Sequence, residues 1–494
     1  MKTAGLILIS AFVLFFLLGQ LSLIDPDEGR YAESAREMIT SNQYLIPLLN
    51  SNPRINKPIL FYWTILASYK VFGINEFAAR FPSALSGLAL ILGLHFFIRR
   101  ERKGNSFIPA LILLSSPIFL ISSRIAITDM LFTTLVVFAI FSFWLSLNDK
   151  KFIYPFFMFA GLSLATKGPV GVILILFSVV IFAIIEKDLF YIKRFFNIRG
   201  ILLMLLIGGS WYLMLFLKIG SMEFIELIRQ ETLGRFRDGF VHREAFYYYI
   251  PIIVAGFLPW SLFFFKFKRS DLKVKLNRFL VIYIFIAFIF FSLCKSKLPT
   301  YILSIFPLLS IAISSGIERS WNKKTDIGLI FFAILIIVSL ALRFIVPEIV
   351  YVGAKIPFKS ISLVIFFIAL PLLILSREKL KIQFFYLTLI PAFIYFYLLF
   401  SYGGAFSNYR STENLFKNKD FEASTVYTWK FFKPSILFYS KAKVDEIDRI
   451  EDFKEGFLVI PKDCLVDLKT DIPDFKVISY TDKYILIKVQ KLQE

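Results

Sequence analysis

Residues 4–31 read AGLILISAFVLFFLLGQLSLIDPDEGRY. The part from 4 to 24 carries no charge and is long enough to cross a bilayer, which takes about twenty apolar residues. It runs straight into Asp25, Asp27 and Glu28. An uncharged run that ends on three carboxylates places polar chemistry at a membrane edge, where such groups are costly and usually functional. A cleaved signal peptide would need a small-x-small site before Asp25; none is present, so a retained first span is expected.

The composition extends this reading to the whole chain. Of 494 residues, 57% are hydrophobic and 19% charged, and 60 are Phe; the mean hydropathy is +0.70. Too few charges remain to cover that much apolar surface in water. Disorder, a collagen-like fibre and a cytosolic enzyme are excluded, and the chain reads as a polytopic α-helical membrane protein. Lys and Arg exceed Asp and Glu by 56 to 36, a net charge of +20. Most of the excess sits in short loops between apolar runs, as cytoplasmic loops do, so no nucleic-acid partner is expected. Cys294 and Cys464 cannot build a disulfide framework.

Apolar runs predict about thirteen spans. They lie near 4–24, 77–98, 106–123, 127–147, 152–168, 170–185, 200–218, 246–265, 278–294, 299–316, 327–345, 360–376 and 382–402. The aromatic segment 59–73 suits a helix lying at the interface. With a cytoplasmic N-terminus, every even-numbered span ends in a net-basic loop: 99–103, 150–151, 187–199, 266–278, 319–324 and 377–381. That alternation puts the loops at 25–58, 219–245, 295–298 and 346–359 outside, with the C-terminal tail. The expected organisation is a membrane domain, 1–404, whose outer loop 25–58 carries the chemistry, and an outer α/β domain, 405–494. In the tail, 426–428, 436–440, 457–460 and 484–489 read as strands and 446–453 as a helix.

The informative charges are those on the outer side. Asp27 and Glu28 fall in the first turn of a helical pattern, where the dipole favours anions. They read either as a cap or as a carboxylate held as general base or metal ligand. Lys57 snorkels or binds a lipid phosphate. Arg124 and Asp129 read as an ion pair at the outward end of two spans. Lys167 lies between two more spans, and Lys295 and Lys297 open another. Arg229, Arg235, Arg237 and Arg243 share an outer loop with Glu226, Glu231 and Glu244. One acidic loop and several cations at one level suit an anionic lipid headgroup beside a catalytic carboxylate. There is no Walker A loop, nucleophile elbow or His-Glu-x-x-His. His95, inside an apolar run, reads as a packed residue.

Several motifs keep a fixed order along residues 25–310. They are Pro26-Asp27-Glu28-Gly29-Arg30-Tyr31-Ala32-Glu33, Asn56-Lys57-Pro58 with Phe61-Tyr62-Trp63, and Arg80-Phe81-Pro82-Ser83. Thr128-Asp129-Met130, Thr166-Lys167-Gly168-Pro169, Leu258-Pro259-Trp260 and Lys297-Leu298-Pro299-Thr300-Tyr301 follow. This set resembles the bacterial lipid A 4-amino-4-deoxy-L-arabinose transferases and their relatives, grouped with the protein O-mannosyltransferases in the GT-C class.

The resemblance implies a GT-C glycosyltransferase with outer-face amphipathic helices and a small C-terminal α/β domain. It implies transfer of a sugar from a polyprenyl (undecaprenyl) phosphate donor, with inversion, at the periplasmic face of the bacterial inner membrane. The implied acceptor is a lipid A-type glycolipid. Asp27 would be the base or acceptor-positioning residue, with Glu28 and Asp129 beside it. Lys57, Arg235 and Tyr301, with Lys297 and Arg237, would hold the donor phosphate. Relatives often carry Glu-His where this chain has Glu231-Thr232, which removes one ligand a structural divalent metal would use; no cofactor is expected. The rival readings are transfer to protein Ser/Thr and a lipid or ion transporter, whose charges would be spread through the bilayer depth.

Overall fold

The computed structural model describes residues 3–102, 104–229, 244–323, 330, 379–417, 421, 424–450, 453, 455–465 and 475–489. Among them, six helices are long and apolar enough to cross a membrane. These are α4 (Glu76–Glu101), α7 (Thr128–Ser146), α10 (Ile198–Ile219), α12 (Lys275–Leu293), α13 (Pro299–Arg319) and α14, whose spanning part is Leu380–Phe400. Shorter apolar helices α1 (Thr3–Phe15), α8 (Ile153–Lys167) and α9 (Val170–Glu186) pack among them. The expected spans at 327–345 and 360–376 lie outside the described residues, apart from Ile330.

Three expected spans differ, each for a local reason. The run 106–123 is split into α5 (Phe107–Leu114) and α6 (Pro117–Ser122), because Pro117 cannot continue the hydrogen-bond ladder. The run 246–265 breaks between α11 (Tyr249–Gly256) and a helical segment Trp260–Lys266, bent by 102° at Pro259.

The first run, expected to 24, is helical only to Phe15. Its terminal carbonyls are taken by two arginines from elsewhere. Arg124 donates to Val13 and Leu14 (both 2.9 Å) and to Phe16 (2.7 Å). Arg80 donates to Leu18 (3.1 Å), Leu21 (2.6 Å) and Ser22 (2.8 Å). Guanidinium forks satisfy carbonyls that an apolar surrounding would leave costly, and so let the chain leave the helix early. The expected Arg124–Asp129 ion pair does not form: Arg124 spends its donors on those carbonyls and on Tyr395 Oη at 3.0 Å.

Contacts between the basic loops gather them at one end of the bundle. Arg278 pairs with Glu186 (2.9 Å), Arg319 with Asp271 (2.5 Å) and Arg100 with Asp149 (3.4 Å), and the Asn105 amide donates to Glu318 (2.8 Å). The opposite end carries α2 (Asp27–Thr40), a two-residue hairpin β1–β2 (Leu48–Leu49, Asn52–Pro53) and α3 (Leu60–Phe72).

The C-terminal part is a five-stranded sheet in the order β4-β3-β5-β7-β6. The strands are β3 (Thr425–Trp429), β4 (Lys443–Ile447), β5 (Gly456–Pro461), β6 (Lys476–Tyr480) and β7 (Tyr484–Val489). Two expectations reverse here. Residues 436–440 belong to a helix, α15 (Pro434–Ser440), and β4 occupies the start of the expected helix 446–453. The cause is topological. β3 and β4 run parallel, and parallel neighbours need a crossover, usually helical, which Pro434 starts at its first turn. The membrane helix α14 runs to Arg410, past the expected boundary at 404.

The sheet domain is tied to the outer loop. Asp25 Oδ1 accepts from the Ser435 amide at 2.9 Å and Oδ2 accepts from the Ser435 hydroxyl, so a loop carboxylate caps α15. Burial pushes the Asp25 carboxyl upward, against the lowering effect of Ser435 and Lys433. A Cβ on Gly29 would stand 2.9 Å from both Asp25 Oδ1 and the Ser435 nitrogen, so only glycine admits this approach of α2 to α15. Leu23 donates to Tyr439 Oη (2.8 Å), and Asn50 exchanges two hydrogen bonds with the Val444 backbone.

Asp25→Ala removes this cap. Losing charge-assisted hydrogen bonds worth roughly 1.5–3 kcal/mol should raise local opening of the sheet domain about tenfold or more. Trypsin cleavage after the exposed Lys417 in detergent should quicken accordingly. An unchanged cleavage rate would show that the cap does not hold the domain.

Candidate functional site

A cavity of about 420 Å³ opens at the end of the bundle that carries the outer loop. Its wall is mostly apolar, with Trp211, Phe290 and Phe291, and its cations are Lys57 and Lys167 beside Tyr301. Each polar residue is delivered by an element end. Lys57 immediately precedes Pro58 and α3. Lys167 is the last residue of α8, where the helix dipole favours a cation, and Gly168 with φ of 76° ends the helix there. Tyr301 lies in the first turn of α13, after Pro299.

Asp129, in the first turn of α7, meets Lys167 at 2.5 Å, and both side chains are about 9% exposed. The short link between α7 and α8 makes them antiparallel neighbours, so the acidic start of one lies beside the basic end of the other. The same ammonium stands 4.3 Å from the Tyr301 ring centroid and 5.4 Å from that of Phe132. Lys167 thus links the cavity wall to a buried carboxylate. Sequence reading noted this lysine without assigning it to the site; its position opposite an acidic helix start was the available signal.

The loop carboxylates separate into different roles. Glu28 is buried and fully engaged. Its oxygens accept from Arg80 Nε (2.8 Å) and Nη2 (2.7 Å), the Ile24 amide (2.9 Å) and the Ala126 amide (2.7 Å). With every lone-pair direction occupied it cannot serve as a base, which corrects its expected place in the catalytic group. Asp27, one residue earlier, is half exposed and, among the described residues, forms an ion pair only with Arg30, at 3.5 Å. It is not part of the cavity wall. One turn further along the same face of α2, Tyr31 is buried beside Thr128 and Asp129. Burial, ahead of Tyr62 and Asp129, pushes its phenol upward, while Arg54 and Thr128 oppose. Tyr31 therefore spans the ground between Asp27 and the Asp129–Lys167 pair.

Lys297 is also corrected. Its ammonium is buried and donates to the Glu244 carbonyl (2.9 Å) and the Cys294 carbonyl (2.5 Å), so it braces the 294–297 turn and takes no place in the cavity. Arg235 and Arg237 lie outside the described residues, as do Glu231, His242 and Arg243. Among the described residues no three His, Cys, Asp or Glu side chains cluster as metal ligands.

Residues 56–216 match the family model described as dolichyl-phosphate-mannose-protein mannosyltransferase. An uncharacterized protein of Aquifex aeolicus is 32% identical over 358 residues, covering 69% of this chain and 70% of that one. The undecaprenyl phosphate-alpha-4-amino-4-deoxy-L-arabinose arabinosyl transferase of Wigglesworthia glossinidia brevipalpis is 31% identical over 346 residues. That alignment covers 64% of this chain and 60% of the relative. The crystal structure of ArnT from Cupriavidus metallidurans bound to undecaprenyl phosphate shares the fold, with a TM-score of 0.85 and 19% identity. The match covers 98% of this chain and 97% of that one.

The chain belongs to the GT-C glycosyltransferase family. The matched stretch 56–216 holds both cations of the cavity wall, Lys57 and Lys167, and Asp129 behind Lys167. Within the GT-C frame the outer loop adds Asp27 and the later helices add Tyr301.

The Asp129–Lys167 pair makes a test of its own. Lys167→Met leaves a buried carboxylate without its partner, which costs about 3–5 kcal/mol. Thermal unfolding in detergent should fall clearly, and adding Asp129→Asn should restore most of the loss. Additive losses in the double variant would show that the two do not act as a pair.

Proposed function

We propose that this GT-C enzyme transfers a sugar from polyprenyl phosphate to a lipid A-type glycolipid at the periplasmic face of the inner membrane. The observation that carries the reading is the convergence of Lys57, Lys167 and Tyr301 on one apolar cavity. Apolar walls suit a prenyl chain, and two point charges with a phenol suit the phosphate at its end. Arg235 and Arg237 belong to the same proposed phosphate set. The N-terminus and basic loops are cytoplasmic in this reading; the cavity and the sheet domain are periplasmic.

The chemistry follows from what each group can do. Asp27 has an accessible carboxylate in the first turn of α2. It takes the proton from an acceptor hydroxyl, or orients an acceptor phosphate that needs no base. The acceptor oxygen attacks the anomeric carbon from the face opposite the phosphate, which inverts that centre. The C–O bond to phosphate breaks, and its electron pair leaves with the phosphate. Lys57 and Lys167 stabilise that growing charge, a role that needs no metal in this reading. Asp129 holds Lys167 in place, and Glu28 positions the loop through Arg80.

The test uses purified full-length protein and an undecaprenyl-phosphate-linked sugar. Lys57→Ala should weaken undecaprenyl phosphate binding about tenfold or more, the scale of a lost charge-assisted contact. Asp27→Asn should leave that binding intact while turnover falls about 10²–10⁴-fold, the usual share of a proton-transfer group. Near-normal turnover in Asp27→Asn would remove it from the mechanism. Intact donor binding in Lys57→Ala would remove the cavity from it.

A further inference from the structure

Arg54 is an outer-loop cation that the proposed mechanism does not use. It follows the β1–β2 hairpin, which Glu37 pins by accepting from the Asn50 (2.6 Å) and Ser51 (3.0 Å) amides. Its own amide donates to Pro47 at 2.7 Å, so its backbone is held. The guanidinium lies 5.1 Å from the centroid of the Tyr31 ring. Its Nη1 is buried and, among the described residues, has no hydrogen-bond partner. The side chain as a whole is partly exposed, but a buried nitrogen of a charged group without an acceptor is still costly, and stacking on one phenol offsets only part of that cost. Native structures seldom keep such a group without a use for it.

Its neighbours say what the use is. Tyr31 lies one turn after Asp27 on α2 and beside Asp129, which pairs with Lys167 on the cavity wall. Three residues after Arg54 comes Lys57, on the same wall. Arg54 is thus tied to both parts of the proposed site, through the Tyr31 ring and, three residues along the chain, to Lys57. Guanidinium forks suit the oxygens of a carboxylate or phosphate, and Nη1 is the nitrogen left here to receive one.

We propose that Arg54 is a specificity-determining residue that binds an oxyanion of one substrate: a carboxylate on the transferred sugar or a phosphate on the acceptor. The inference rests on the donor reading above and deepens it. A sugar presenting an ammonium at this position would be repelled, so the substrate pair is anionic here.

Full-length protein and its Arg54→Gln and Arg54→Lys variants are assayed in nanodiscs. Binding is measured for undecaprenyl phosphate alone, for its glucose ester and for its glucuronate ester. Transfer is measured to a lipid A-type glycolipid with and without its phosphates. If the sugar carries the oxyanion, the unmodified protein prefers the glucuronate donor over the glucose donor about tenfold or more, and Arg54→Gln erases the preference. If the acceptor carries it, Arg54→Gln raises KM for the phosphorylated glycolipid by a similar factor and leaves the dephosphorylated one unchanged. In both cases Arg54→Lys rescues only part, undecaprenyl phosphate binding is unaltered, and the unfolding temperature of Arg54→Gln is unchanged or raised.

Three results overturn the proposal. They are equal behaviour of Arg54→Gln in both arms, an equal loss of undecaprenyl phosphate itself, or a sharp fall in unfolding temperature. Failure of the donor reading shows separately, as no undecaprenyl phosphate binding by the unmodified protein; direct binding of the two glycolipids then still decides on Arg54.

Discussion

The buried Glu28–Arg80 pair is the constraint on which the rest of this structure depends. Both side chains are about 3% exposed. A charge so deeply placed is tolerable only with a partner and a full set of hydrogen bonds. Arg80 spends its donors on Glu28 and on the carbonyls of Leu18, Leu21 and Ser22, while Glu28 also collects the Ile24 and Ala126 amides. Four separate pieces of chain thus meet on one ion pair: the exit from α1, the start of α2, the second turn of α4 and the approach to α7. The direction in which α2 leaves the bundle follows from that junction. So does the position of Asp27, whose neighbour is the anchor.

The second consequence is that the sheet domain is joined to the loop that opens α2 rather than hanging from α14 alone. Asp25 caps α15 while Glu28, three residues later, is held by α4. The loop between them is gripped from both sides. Asp27 is left as the exposed carboxylate of the three because its two neighbours in the acidic run are committed to structure. A helix start with three acidic residues would otherwise suggest a metal or a paired-carboxylate site. Here burial divides the three into a cap, an anchor and one accessible group.

Much of this was legible in the sequence. Apolar run lengths found α4, α7, α12 and α13 to within a few residues, because a bilayer fixes how long such a run must be. Lys57, Asp129 and Tyr301 stood out as polar residues where polarity is costly, and the structure brings them around one cavity and its supporting pair. The misses share a physical cause. Run length does not reveal when carbonyls are satisfied by a distant side chain, so α1 was expected nine residues too long (24 against 15). Nor does it distinguish a strand from the helix that a parallel crossover demands, as at Pro434–Ser440. Glu28 and Lys297 looked like site residues because charge at membrane depth signals expense; whether the expense serves chemistry or architecture depends on partners far away in sequence.

Partner geometry also orders the polar groups relative to one another. Lys57, Lys167 and Tyr301 face an apolar cavity, Asp129 stands behind Lys167, Tyr31 lies beside Asp129 with Arg54 over its ring, and Asp27 sits a turn away on α2, half exposed. In the proposed mechanism, cations next to the apolar wall and a carboxylate at the exposed end would separate two jobs. A leaving phosphate needs positive charge where the prenyl chain enters, and a nucleophile losing its proton needs negative charge where the acceptor arrives. Placing both charges together would let Asp27 neutralise the lysines, as Asp129 does one of them. The buried Tyr31 keeps them apart without adding a charge of its own, since its phenol is held well above its ordinary pKa. A transporter would have no reason for that separation, because a moving ion gains from a continuous run of like sites. The order of charges, more than the presence of any one, is what argues for transfer chemistry at this face.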